Sequence, residues 1–314
     1  MNTEYVPECK QLQATYKVEN KFLSGPRIAK ICLQQETPIR VTIHQEGIRT
    51  ITVVAEKDIS VQVLYSILIN MEELLMIFDG KFIKLYNLCF SKSDKNTERD
   101  LEKWSLQYKI RRPTYFTSSK FYEYNGNKLI EFDEVLTTKI FEEWERLLED
   151  LDIVHKMFMY SICNSGLTVD VKCAFLVEQA EPLVEILKYR KQLFPSLNPG
   201  KTPLKCCLGA LISTYGKEIF KEELKSVYEE FLQTLVDSRV RIMHIKRCQD
   251  KKYLDGKQSV LYSVKMYLLY RCIILDILEV DESVYYDKLC KCVKGWNEWN
   301  GVLHSFLISC KNKL

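Results

Sequence analysis

The hydrophobic period of this chain changes near Leu136, and that change limits what it can fold into. Before it, short β-branched runs alternate between apolar and polar residues. After it, apolar residues recur at steps of three and four, and nothing beyond Glu134 reads as a strand. The pattern predicts an α+β chain: a β-rich, mainly antiparallel amino-terminal domain over 1–136, then an all-helical domain over 137–314. A length of 314 residues also favours two domains, at roughly 100–200 residues each.

In the first part, Arg40–Ile43 and Thr50–Ala55 flank a turn at Glu46-Gly47, which predicts a hairpin, and Ala29–Leu33 predicts another strand. Val61, Leu64, Ile67, Leu68, Met71, Leu74, Leu75 and Phe78 mark one amphipathic helix, stopped by Asp79-Gly80. Phe82–Phe90 reads as a strand and Ser91–Asp100 as a polar loop. A strand from Trp104 and a hairpin turn at Asn125-Gly126-Asn127 complete the domain.

In the second part, Thr137-Thr138 caps a long helix running from Ile140 through Trp144 and Leu151 to Phe158. Gly166 separates it from a helix over Val169–Ile186, and Phe194–Gly200 is the strongest stop signal in the chain. A short helix over Pro203–Thr214, a long periodic run over Lys217–Ile245, another over Lys257–Val280 and a last helical piece from Asp281 follow.

Lys+Arg total 45 against 42 Asp+Glu, which argues against a non-specific nucleic-acid coat but leaves room for a small basic site. The start, MNTEYVPECK, lacks the basic and apolar regions of a secretory leader. Charges interrupt the longest apolar stretches, so they read as core helices, and a cytoplasmic protein without a membrane span is expected. The twelve cysteines lack the paired spacing of a zinc site; reduced thiols, no metal and no cofactor are expected.

One charge breaks the helical pattern. The stripe Phe220, Leu224, Val227, Tyr228, Phe231, Leu232, Leu235, Val236 arrives, one step further, at Arg239. A charge on a core-facing stripe is costly unless paired. His244 follows five residues later. At about 100° per residue the two side chains stand roughly 140° apart on an ideal helix. Acting together therefore requires the helix to bend or end near them, or two copies to meet. Taken alone, Arg239 reads as a structural arginine paired to Glu181 or Asp237, and His244 as a helix-terminal residue. The basic residues Lys246, Arg247, Lys251 and Lys252 read as a solvated helix end that also suits an RNA backbone.

At the phrase Leu235-Val236-Asp237-Ser238-Arg239-Val240-Arg241-Ile242-Met243-His244, followed by the apolar run Leu261–Leu278, the chain resembles the HEPN superfamily. That family is defined by Arg, four to six residues, then His, on a helical bundle. The similarity is greatest to the ApeA-like branch of prokaryotic defence proteins. The segment Val171–Glu181 is similar to that branch's helix bearing a glutamate, which maps to Glu181. The family usually has Asn, Asp or His directly after the arginine. Here Val240 stands there, with Asp237, Ser238 or Arg241 as the polar residues able to substitute.

The resemblance implies a metal-independent endoribonuclease acting in anti-phage or abortive-infection defence. Arg239 would stabilise phosphate charge and His244 would serve as general acid or base, because RNA supplies its own 2′-hydroxyl nucleophile. Glu181 would orient either residue. One histidine per chain leaves a second proton transfer to be supplied, so a homodimer is expected. The amino-terminal domain would recognise a phage or host trigger. The competing reading is a catalytically silent HEPN module for dimerisation or partner binding, which Val240 favours. His44, His155 and His304 read as structural or surface residues, and Trp296 and Trp299 as packing at the terminus.

Overall fold

The computed structural model describes residues 8–17, 26–81, 85–92, 95–100, 127–162, 166–245 and 248–311. The fold is α+β: an antiparallel sheet comes first and helices follow. The chain divides into two compact units, one of 1–118 with 130–146, the other of 119–129 with 147–314. The division therefore does not coincide with the single change of texture near Leu136.

In the first unit β1 (Glu8–Lys17), β2 (Arg27–Leu33), β3 (Ile39–Glu46), β4 (Ile48–Ser60), β5 (Tyr86–Lys92) and β6 (Lys95–Asp100) lie in the order β2-β3-β4-β1-β5-β6. Every pairing is antiparallel. Gly47, with φ of 75°, makes the tight turn between β3 and β4, a backbone conformation that favours glycine. Ile39, Val41 and Ile43 on β3 and Ile51, Val53 and Ala55 on β4 point to the core. Helix α1 (Val61–Asp79) packs on β4 and β1 and buries all eight residues of its apolar stripe.

Among the described residues α1 is the one helix long and apolar enough to cross a membrane, with a mean hydropathy of 1.5, and 67% of that window is buried inside the protein. Its carboxyl end is held by charge. Arg49, fully buried, donates from Nη1 to Asp79 Oδ2 at 2.7 Å and from Nε to Gln45 Oε1 at 2.6 Å. One element departs from expectation here, and β1 is a strand for which the sequence pattern set no expectation. Ser91–Asp100 is not a loop, because Lys95–Asp100 pairs with β5 as an edge strand, where a charged sequence is tolerated. Strand β1 carries no clean alternation because its register shifts between Cys9 and Gln11. The strand expected from Trp104, and Asn125 and Gly126 of the expected turn, lie outside the described residues.

Helices α2 (Phe132–Val135) and the first turns of α3 (Thr138–Leu151) belong to the same unit. There Trp144, fully buried, donates from Nε1 to Asn70 O at 2.8 Å.

The second unit holds α4 (Ile153–Ile162), α5 (Val169–Glu178), α6 (Ala180–Lys191), α7 (Leu204–Tyr215), α8 (Lys221–Ser226), α9 (Tyr228–Met243), α10 (Gly256–Ile277), α11 (Tyr286–Glu298) and α12 (Val302–Lys311). Three runs expected as single helices are divided. Asp152, at φ of 34°, separates α3 from α4. A continuous helix would drive the ring of Pro182 into the Glu178 carbonyl four residues back, so α5 ends at Glu178 and α6 starts anew. Val227, at φ of −150°, separates α8 from α9.

Helix α10 is the axis of this unit, buried along most of its 22 residues and opened by a capping box between Asp255 and Gln258. Asn127 is fully buried beside it: its carbonyl accepts from Arg271 Nη1 at 2.7 Å and its Oδ1 from Trp296 Nε1 at 3.1 Å. On another turn, Lys265 Nζ donates to Glu223 Oε1 at 2.6 Å, with both side chains at 0% exposure. Burial pushes the Lys265 ammonium below its ordinary pKa, and the Glu223 carboxylate pulls it back up. Removing one partner strands the other charge, so Lys265→Met is expected to cost about 3–5 kcal/mol, while Glu223→Leu with Lys265→Met together should be close to neutral. Urea unfolding of the single and double variants measures the difference.

Candidate active site

Arg239 lies in the last turn and a half of α9, and its side chain is 18% exposed. It is tolerated on the core-facing stripe because Glu178, the last residue of α5, meets it with both carboxylate oxygens. Arg239 Nε donates to Glu178 Oε2, and Nη2 donates to Oε1 at 2.6 Å. The hydrogen bonds that Arg239 donates to Glu178 raise the guanidinium pKa above its ordinary value. Burial opposes this, and the charges of Glu178 and Glu181 add to it.

The third nitrogen reaches the histidine. Arg239 Nη1 stands 3.3 Å from His244 Nε2. A guanidinium only donates, so Nε2 accepts in this contact and presents its lone pair to the arginine. The five-residue offset is resolved within one chain because α9 ends at Met243. His244 leaves the helical path at φ −111°, ψ 3°, while its N–H still bonds Val240 O at 3.0 Å. Ile245 follows at φ of 52°, 93% exposed. His244 is itself solvent-exposed, so a proton or a substrate reaches its ring freely.

The other expected residues take separate places. Glu181 contributes charge to Arg239, while the clamp is made by Glu178, three residues earlier. Asp237 is buried and accepts from Lys251 Nζ at 2.5 Å, and the pair lines a second groove with Lys205, Glu229 and Glu230. Ser238 Oγ donates to Thr234 O at 2.7 Å and accepts from Leu254 N at 2.8 Å, which pins the segment leading into α10. Lys252 Nζ donates to Ser309 Oγ at 2.6 Å, tying it to α12. Lys246 and Arg247 lie outside the described residues. Arg241 contacts neither member of the pair; its guanidinium lies over the Tyr253 ring, 5.1 Å from the centroid.

A narrow cleft of about 20 Å³, room for one water, opens beside Arg239 between α5, α9 and the Tyr253–Leu254 segment. Of the remaining histidines, His155 is buried against Tyr270 Oη at 3.2 Å, and His44 and His304 stand on the surface. Among the described residues, no three His, Cys, Asp or Glu side chains gather as metal ligands would. Glu178 escaped the sequence reading, although Pro182 carries the signal: the helix break it imposes puts Glu178 at a terminus, free to turn towards α9.

No family model, no curated protein and no solved structure matches this chain.

If Glu178 is the clamp, Glu178→Ala should lower the unfolding free energy by about 1 kcal/mol, as befits a partly exposed ion pair. Glu181→Ala should stay within about 0.5 kcal/mol of wild type. Chemical denaturation of both variants checks the assignment.

Proposed function

We propose that this chain is a metal-independent endoribonuclease of the HEPN type, acting on RNA as a homodimer in the cytoplasm. The contact between Arg239 Nη1 and His244 Nε2 carries the reading, because it joins a permanent cation and a basic ring nitrogen at an accessible helix end. Cleavage uses the substrate's own 2′-hydroxyl. Its oxygen attacks the adjacent phosphorus, the bond from phosphorus to O5′ breaks, and the products are a 2′,3′-cyclic phosphate and a 5′-hydroxyl. As a phosphoryl oxygen draws Arg239 Nη1 away from the imidazole, the lone pair of His244 Nε2 is freed and takes the proton from the 2′-hydroxyl. Arg239 Nη1 donates to a phosphoryl oxygen as charge accumulates on it, while Glu178 keeps the guanidinium plane in place. The leaving O5′ needs a proton, and His244 of a second copy supplies it across a two-fold axis.

The setting in anti-phage or abortive-infection defence, and a sheet-containing unit that recognises a phage or host trigger, rest on the resemblance carried by the Leu235–His244 phrase, the Leu261–Leu278 run and the Val171–Glu181 segment. A silent HEPN module for dimerisation or partner binding is the second reading. It is favoured by Val240, which supplies no polar group after the arginine, and by Glu178, which already occupies two nitrogens of the Arg239 fork.

Single-stranded RNA incubated with the purified chain in EDTA should yield cyclic-phosphate ends, and Arg239→Ala and His244→Ala should each lose about 100-fold or more in rate. Equal cleavage by all three proteins would sink the proposal, and no cleavage by wild type would select the silent module.

A further inference from the structure

The cleft beside Arg239 has a wall that the proton-transfer and phosphate roles leave unused. Arg241 lies two residues beyond Arg239 and one turn before His244. Its side chain is directed onto Tyr253, with the guanidinium carbon 5.1 Å from the ring centroid. Tyr253 is itself fixed. Its hydroxyl accepts from Cys248 N at 2.8 Å and donates to Cys248 O at 3.3 Å. The next residue, Leu254, is buried and donates to Ser238 Oγ on α9. The ring is half-buried, its hydroxyl is held by two hydrogen bonds to Cys248 and its chain segment is pinned at Leu254, and it lies beneath the Arg241 guanidinium of an exposed residue.

No carboxylate accepts from Arg241 in any ion pair among the described residues, unlike Arg239 on Glu178 or Lys251 on Asp237. An arginine whose purpose was surface solubility would not need an anchored aromatic ring beneath it. Arg241, Tyr253 and Arg239 all line the same cleft, and its narrowness excludes insertion of a ring. A flat group would instead lie across its mouth, on the outer face of the guanidinium.

We infer that Arg241, backed by Tyr253, is the stacking platform for one unpaired nucleobase of the substrate, next to the phosphate held at Arg239. The inference rests on the RNA-cleaving reading of the Arg239–His244 pair. Guanidinium planes and aromatic rings are the usual supports for splayed bases in single-stranded RNA, and stacking tolerates any base. The platform makes the protein selective for unpaired RNA over duplex, whose bases present no free face. It ranks bases by stacking strength, so purines bind better than pyrimidines at that position. Arg241 is a specificity-determining residue here and takes no part in the proton transfers.

Binding is measured by fluorescence anisotropy with full-length His244→Ala protein, which separates recognition from chemistry, using labelled A, C and U 12-mers and an RNA duplex of equal length. Arg241→Lys keeps the charge and removes the plane, so it should weaken binding to the A 12-mer by about tenfold while leaving the salt dependence unchanged. Tyr253→Leu, which frees the Arg241 side chain, should do the same, and Tyr253→Phe, which keeps the ring but loses its hydroxyl anchor on Cys248, should fall between the parent and Tyr253→Leu. Purine preference should vanish in Arg241→Lys. Equal binding by the parent and Arg241→Lys, or equal affinity for duplex and single strand, overturns the platform. If wild type cleaves RNA while Arg241→Lys keeps the parent's affinity, the platform fails and the nuclease reading stands. If wild type does not cleave but binding depends on Arg241 and Tyr253 as described, the nuclease reading fails and the platform stands. Absence of any RNA binding removes both.

Discussion

Arg239 is where the apolar stripe of α9 meets a charge, and the carboxyl-terminal part of that helix is organised around accommodating it. The guanidinium gives two nitrogens to Glu178 and turns the third towards His244, so one side chain links the end of α5 to the end of α9. This satisfies a partly buried cation and fixes an accessible surface where an imidazole and a cation stand side by side. The pair depends on two helix ends. Pro182 stops α5 at Glu178, and the departure of His244 from helical dihedrals ends α9. Were either helix to continue, the carboxylate or the imidazole would be carried away from the guanidinium.

The same logic recurs at full burial in the helical unit. Lys265 and Glu223 neutralise one another with no exposure, and Arg271 gives a nitrogen to the carbonyl of Asn127. In the sheet unit Arg49 plays the equivalent part between Asp79 and Gln45. Each of these cations is placed by a partner distant in sequence. Their role is to select one packing, since an alternative arrangement leaves a buried charge uncompensated.

Much of the architecture was legible in the chain. The eight-residue stripe of α1, the hairpin around Gly47 and the change to helical period were read correctly, because each is a local pattern expressed over several consecutive residues. The helix breaks at Asp152, Gln179 and Val227 were not, since apolar periodicity continues across them. Strand β6 looked like a loop because its charged residues mark it only through pairing with β5. At the candidate site, Arg239 and His244 stand out by type and position, whereas Glu178 and Tyr253 do not: Pro182 marks the helix end at Glu178 but not which side chain it meets, and nothing near Tyr253 distinguishes it until the chain folds back. Lys251 and Lys252 looked available and are instead bound to Asp237 and Ser309.

By itself the sequence determined the fold class, the helical character beyond residue 136, and the presence of an arginine on a stripe that disfavours charge. Periodicity and composition are enough for these, since they reflect short-range backbone geometry and the segregation of apolar surface. Only the tertiary structure decided that Arg239 and His244 meet within one chain, that Glu178 and not Glu181 holds the arginine, and that Arg241 rests on Tyr253. Those outcomes turn on where two helices stop and which side chains their ends present. Electrostatic pairing selects among such arrangements across some sixty residues of sequence, from Glu178 to Arg239, a separation over which local pattern carries no information.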